Sequence, residues 1–200
     1  MSQRNETHEK TRKLVGMALL IAIIAVLQLF AGSIKIGVTS FSLVLVPIVV
    51  GAILYGPTAG GILGGVFGLI VLIVGISGTD QFTFFLWTSS PFWTIVTCMG
   101  KGIGCGVAAG WVCRAMHGKN QTLACTLSAM SAPVVNTGIF ALIMSTVLRA
   151  ELQQVLGVSS GEVISVLFLT VIGINFLVEF ALNAIVSAAI ARIVQVVTKK

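Results

Sequence analysis

Thirteen polar positions ending in Arg12-Lys13 open this chain, and residues 14–31 then read as an unbroken apolar stretch of 18 residues. At 1.5 Å per residue that is close to the ~20 residues a bilayer crossing needs. The pattern predicts a disordered tail over 1–13 and a first spanning helix behind it. A signal peptide is the rival, because positive residues precede the stretch, but its apolar core is usually only ~7–15 residues long. An uncleaved helix fits better.

Residues 41–76 carry no charge over 36 positions, which as one helix would run roughly 54 Å through a ~30 Å core. Gly56-Pro57 divides the run, since proline removes a donor and clashes with the preceding turn. Two spans joined by a tight turn are expected, at 41–55 and 58–76. The segment 77–90 mixes Gly78, Thr79, Asp80 and Gln81 with Phe82, Phe84, Phe85 and Trp87, too aromatic for an ordinary solvated loop. A fourth span is expected at 91–113, closed by Arg114, His117 and Lys119, and a fifth at 122–148 with Pro133 as a kink. A polar connection fills 149–162, and a sixth, long span runs from Val163 to Val197.

Composition agrees with this pattern. Only 9% of the residues are charged and 56% are hydrophobic, with a mean hydropathy of +1.07. A soluble domain carries about a quarter charged residues, so a soluble enzyme, a disordered chain and a nucleic-acid binder are excluded. The fold class expected is all-α: a polytopic membrane protein, a bundle of six transmembrane helices in one domain over 14–200.

The net charge of +6 is informative through its placement. Nine of the twelve Lys and Arg fall on the side of both termini: Arg4, Lys10, Arg12, Lys13, Arg114, Lys119, Arg192, Lys199 and Lys200. Lys35 and Arg149 fall opposite, and Lys101 lies within a span. Positive residues favour the cytoplasm, so both termini are expected there, which requires an even number of crossings.

Helix contact in membranes relies on small residues. Span three carries Gly60, Gly64 and Gly68 at four-residue spacing, with Gly61 and Gly65 one position over, and span four carries Gly102, Gly106 and Gly110. Either these faces let neighbouring backbones meet or they reflect glycine's general frequency in membrane helices; two triplets favour the first. Gly16, Ala18, Ala22 and Ala25 give span one a small-residue face that, at the bundle periphery, would suit another protein. Cys98, Cys105, Cys113 and Cys125 form no C-x-x-C pair, and His8 and His117 lie in polar segments, so the cysteines read as packing residues and no metal or disulfide is expected.

Ionisable groups at membrane depth usually mark function. Lys101 lies ten residues into span four, roughly 15 Å from its start. Glu179 shares a face of span six with Asn175 and Asn183 at spacings of four, and Asn136 follows Pro133 in span five. Two readings stand: a Lys101–Glu179 pair with amide hydrogen bonds that hold the bundle, or contacts to a polar small molecule. No phosphate loop, H-E-x-x-H or G-x-S-x-G motif is present, so no enzyme, cofactor or metal is expected and ATP-driven work would need other subunits.

Six short helices with cytoplasmic termini, the Ala18-x-x-x-Ala22 face, Phe41-Ser-Leu-Val-Leu-Val-Pro47 and Tyr55-Gly-Pro57-Thr-Ala-Gly-Gly-Ile-Leu-Gly64 are the pieces. With Pro133-Val-Val-Asn136-Thr137, they resemble the substrate-binding S components of energy-coupling factor (ECF) vitamin transporters over nearly the whole chain. The resemblance implies a plasma-membrane binding subunit for a vitamin-like molecule, working with a transmembrane scaffold and two cytoplasmic ATPases. The loaded subunit would rotate in the bilayer. The cavity would open outside, under the loops after spans one, three and five, and segment 77–90 would lie over it, with Trp87 and Trp93 stacking on ligand or else anchoring in the headgroup region. A self-sufficient secondary carrier or channel is the alternative, though no clear inverted repeat is present; a scaffold or assembly factor without a ligand is a third class. A carboxylate at Lys101 with hydroxyl or amide groups at Asn136, Asn175 and Asn183 describes pantothenate, whereas a flavin or pyridoxine would use the aromatic segment more.

Overall fold

The computed structural model describes residues 2–31, 35–36, 39–40, 43–116 and 120–198. Among them, five helices are long and apolar enough to cross a membrane, joined by one shorter apolar helix. The chain runs α1 (Ser2–Ala31), β1 (Lys35–Ile36), β2 (Thr39–Ser40), α2 (Leu45–Tyr55), α3 (Pro57–Ile76), α4 (Gln81–Ser89), α5 (Pro91–Ala115), α6 (Gln121–Thr146), α7 (Arg149–Leu156) and α8 (Val163–Val166). A π-helical stretch, Leu167–Gly173, then leads into α9 (Ile174–Thr198). The all-helical membrane bundle expected from the pattern is what the chain forms.

Four local expectations change. The polar start is helical from Ser2 instead of a disordered tail; residues 2–13 hold no Gly or Pro, and Glu9 and Lys13 sit at the favourable four-residue spacing. The second span is only the 11 residues of α2, roughly 16 Å against a ~30 Å core. The antiparallel pair β1–β2 precedes it. The expected start of that span, Phe41, lies outside the described residues, as do His117 and Lys119 after span four and the terminal Lys199 and Lys200. The third and fourth changes are short helices, α4 within segment 77–90 and α7 within the polar connection.

Gly56 alone separates α2 from α3. Its φ of +91° suits glycine, and Pro57 occupies the first helical position, where its missing N–H costs nothing. The split at Gly56-Pro57 is therefore where the pattern put it. α2 is the most enclosed element, with Leu45, Ile48 and Val49 fully buried among α1, α3, α5, α6 and α9. A short helix is tolerated there because it is enclosed by other helices.

The tightest crossing is α3 on α5. A methyl group built on Gly60 would overlap the Gly106 carbonyl, one on Gly64 the Gly102 carbonyl, and one on Gly68 the Cys98 carbonyl. Gly110 likewise abuts Pro57. These pairs step in opposite directions along the two helices, so the crossing is antiparallel and backbone meets backbone. The glycine triplets are thus packing surfaces.

Buried apolar side chains form two clusters. One joins Met17 and Ile24 of α1 to α2, α3, α5, α6 and Ile190 of α9. The other joins Phe82 and Leu86 of α4, Met144 of α6, Leu152 of α7 and Val171 of the π-helical stretch. Ser90 Oγ donates to Glu151 Oε1 at 2.5 Å and so ties the start of α5 to α7.

Candidate functional site

Where the two clusters meet, the bundle leaves a cavity of about 890 Å³, its open mouth included. Each wall is a helical stripe. α5 contributes Thr94, Thr97, Cys98 and Lys101, positions that recur at three and four residues and so share one face. α3 contributes Phe67, Val71 and Val74, α6 Asn136 and Phe140, α9 Glu179, and α1 Gln28. α4 closes one side with Phe82, Thr83 and Leu86. That short helix starts at Asp80, whose carboxylate accepts from the Thr83 N–H at 3.3 Å as an N-cap, just after Gly78 turns the chain at φ +79°.

A second cavity of about 430 Å³, its open mouth included, shares Lys101, Asn136, Phe140 and Glu179 with the first and continues along Val171, Ile172, Asn175 and Phe176. The π-helical stretch supplies two of those residues; its wider turns interrupt the α-helical repeat, a feature often found at functional sites. Lys101 lies between two rings, its Nζ 5.7 Å from the Phe140 centroid and 6.0 Å from that of Phe67, within cation–π range.

Four of the residues singled out from sequence, Lys101, Asn136, Asn175 and Glu179, come from three helices to these joined cavities. Three others do not line them. Asn183 is buried one turn beyond Glu179, and its Nδ2 donates to the Glu179 carbonyl at 2.8 Å. Trp87 is half-buried on α4, next to the inward position Leu86. Trp93 precedes the α5 stripe by one residue, is exposed, and packs edge-on against Phe92 at 5.4 Å between centroids. Of the aromatics in segment 77–90, Phe82 is the one in the lining. Ala18 and Ala22 are exposed on α1 beside Leu14, Val15 and Leu19, while Met17, Ile24 and Gln28 form its buried stripe.

Gln28, Asp80, Thr83, Thr94 and Thr97 were missed in the sequence. Gln28 is the one polar side chain within the stretch read as apolar, and a lone amide at membrane depth was a usable signal. Thr94, Thr97 and Lys101 also formed a legible polar stripe.

The cavity thus gathers polar side chains inside an apolar bundle. The model of the family described as ECF transporter, substrate-specific component, matches residues 12–194. The chain belongs to that family. As a substrate-specific component it is a multi-pass membrane transport protein and a binding subunit, not an enzyme. Comparison with curated proteins gives no match.

Proposed function

We propose that this S component captures a vitamin-like molecule in the cavity around Lys101 and hands it to an ECF module for ATP-driven uptake. The observation that carries the reading is the convergence of Lys101, Asn136, Asn175 and Glu179 on joined cavities inside the helical bundle. Such groups are costly in a membrane unless a ligand or partner uses them. Lys101 faces a ligand carboxylate, and Asn136 and Asn175 face hydroxyl or amide groups; pantothenate carries that mix. Asn183 supports the site from below by holding the Glu179 backbone, and Trp87 and Trp93 anchor the mouth at the headgroup level.

The partners in this reading are a transmembrane scaffold and two cytoplasmic ATPases, met through the exposed Ala18/Ala22 face. One membrane domain over 14–200 sits in the plasma membrane with both termini cytoplasmic, as the lopsided distribution of Lys and Arg supports. Segment 77–90, with α4 at its centre, covers the extracellular mouth.

Native mass spectrometry of the purified protein tests the ligand: a retained mass matching pantothenate is expected, and a different retained mass replaces the substrate. Reconstitution into liposomes tests the partnership. Uptake is expected only with the ATPase-bearing module; robust uptake by the chain alone would make it a secondary carrier.

A further inference from the structure

Gln28 is only 8% exposed and lines the first cavity, and its Oε1 has no hydrogen-bond partner among the described residues. Asn136 matches it from the facing set of helices: 8% exposed, in the same lining, with an unpartnered Oδ1. An amide oxygen buried without a partner weakens a fold, so two around one cavity call for a function that uses them.

The hydroxyls nearby show what kind of group is missing. Thr94 Oγ1 donates to the Ser90 carbonyl at 2.9 Å and Thr97 Oγ1 to the Trp93 carbonyl at 2.7 Å. Thr83 Oγ1 donates to Asp80 Oδ2 at 2.5 Å. A hydroxyl has one proton to donate, so these three oxygens have only lone pairs left to offer. With Asp80 and Glu179 also in the lining, the cavity is rich in acceptors, and Lys101 is the sole cation among its described lining residues.

We infer that Gln28 is a ligand-recognition residue that acts with Asn136 on a molecule of defined polarity. That molecule carries at least two hydrogen-bond donors, hydroxyl or N–H, toward the amides of α1 and α6, and one anionic or carbonyl group toward Lys101. The inference rests on the reading of the cavity as the ligand site. It adds α1 to the binding surface and makes donor groups on the ligand the ones that satisfy the two amide oxygens. A ligand without donors would leave both amide oxygens unpartnered.

The test uses the full-length protein in lipid nanodiscs and the variants Gln28→Leu and Gln28→Met, which keep bulk and remove the amide. Pantothenate, thiamine and pyridoxine are the probes, and the thermal midpoint of the protein without added probe is read alongside. A recognition amide is a liability in the empty protein, so a raised midpoint is expected for Gln28→Leu. At least tenfold weaker binding is expected for whichever probe the wild type binds. A midpoint lowered in both variants makes Gln28 structural and overturns the inference, as does unchanged affinity. If the wild type binds thiamine or pyridoxine, neither of which carries an anionic or carbonyl group, the substrate assignment and the group assigned to Lys101 are overturned, while Gln28 is still judged on that probe. If it binds none of them, the substrate assignment again fails and the midpoint alone decides: raised supports the inference, unchanged or lowered overturns it.

Discussion

The α3–α5 seam and the chamber beside it are built from overlapping stretches of the same two helices, yet they solve opposite problems. Along the seam, Gly60, Gly64 and Gly68 leave no room for even a methyl group, and the contacts are backbone on backbone. On the chamber side, Phe67 and Val71 of α3 and Thr97 and Lys101 of α5 line the cavity. Lipid supplies little hydrophobic drive between helices, so close packing of small residues must hold the bundle. Because the seam does so, the neighbouring face is free to keep buried polar groups that weaken it. With the chamber as the proposed ligand site, stability and recognition are divided between two faces of the same helix pair.

The largest effect should come from breaking the seam. Gly64→Leu forces a side chain into the Gly102 carbonyl, and a loss of about 3 kcal/mol or more is expected, enough to prevent accumulation of folded protein. Ile62, which is exposed on the same helix, provides the contrast: Ile62→Leu should leave the thermal midpoint unchanged. A folded Gly64→Leu protein of normal midpoint would mean the helices can move apart, and the division of labour would collapse.

Ala22→Trp probes the outer surface of the bundle. Because Ala22 is exposed, the folded state and ligand binding should survive while uptake by the assembled transporter is abolished. Loss of ligand binding in the isolated protein would show instead that the change reaches the chamber.

Within the chamber, Lys101→Met keeps length and removes charge. At least tenfold weaker ligand binding is expected, about 1.4 kcal/mol, with the thermal midpoint retained. Wild-type affinity in this variant would return Lys101 to a structural role beside Glu179. The smallest effect concerns the cover. Saturating ligand should slow proteolysis or labelling of residues 77–90, because closure buries backbone that otherwise opens locally. Equal rates with and without ligand would leave α4 as a fixed wall.

How far the sequence could be read differs by element. Gly56-Pro57 marked the α2–α3 joint because proline and glycine act on their own backbone, without help from neighbours. In segment 77–90 the aromatic content was legible but the helical period was not; once α4 forms, Phe82, Thr83 and Leu86 line the cavity together, while Trp87 is half-buried outside the lining. In α9 the four-residue spacing did put Asn175 and Glu179 on one face, but the cavity ends before Asn183.

By itself, then, the sequence determined the membrane class, the helical content, the glycine seam and the candidacy of Lys101 and Glu179. These follow from hydropathy, backbone sterics and the cost of charge in hydrocarbon, all of which act within one helix or at one residue. Only the tertiary structure decided that α2 is a half-length helix enclosed by five others, that α1 lends Gln28 to the chamber, and that the threonine protons are already used. Those facts depend on which helices become neighbours and at what depth their faces meet, and spacing along a single helix carries no record of either.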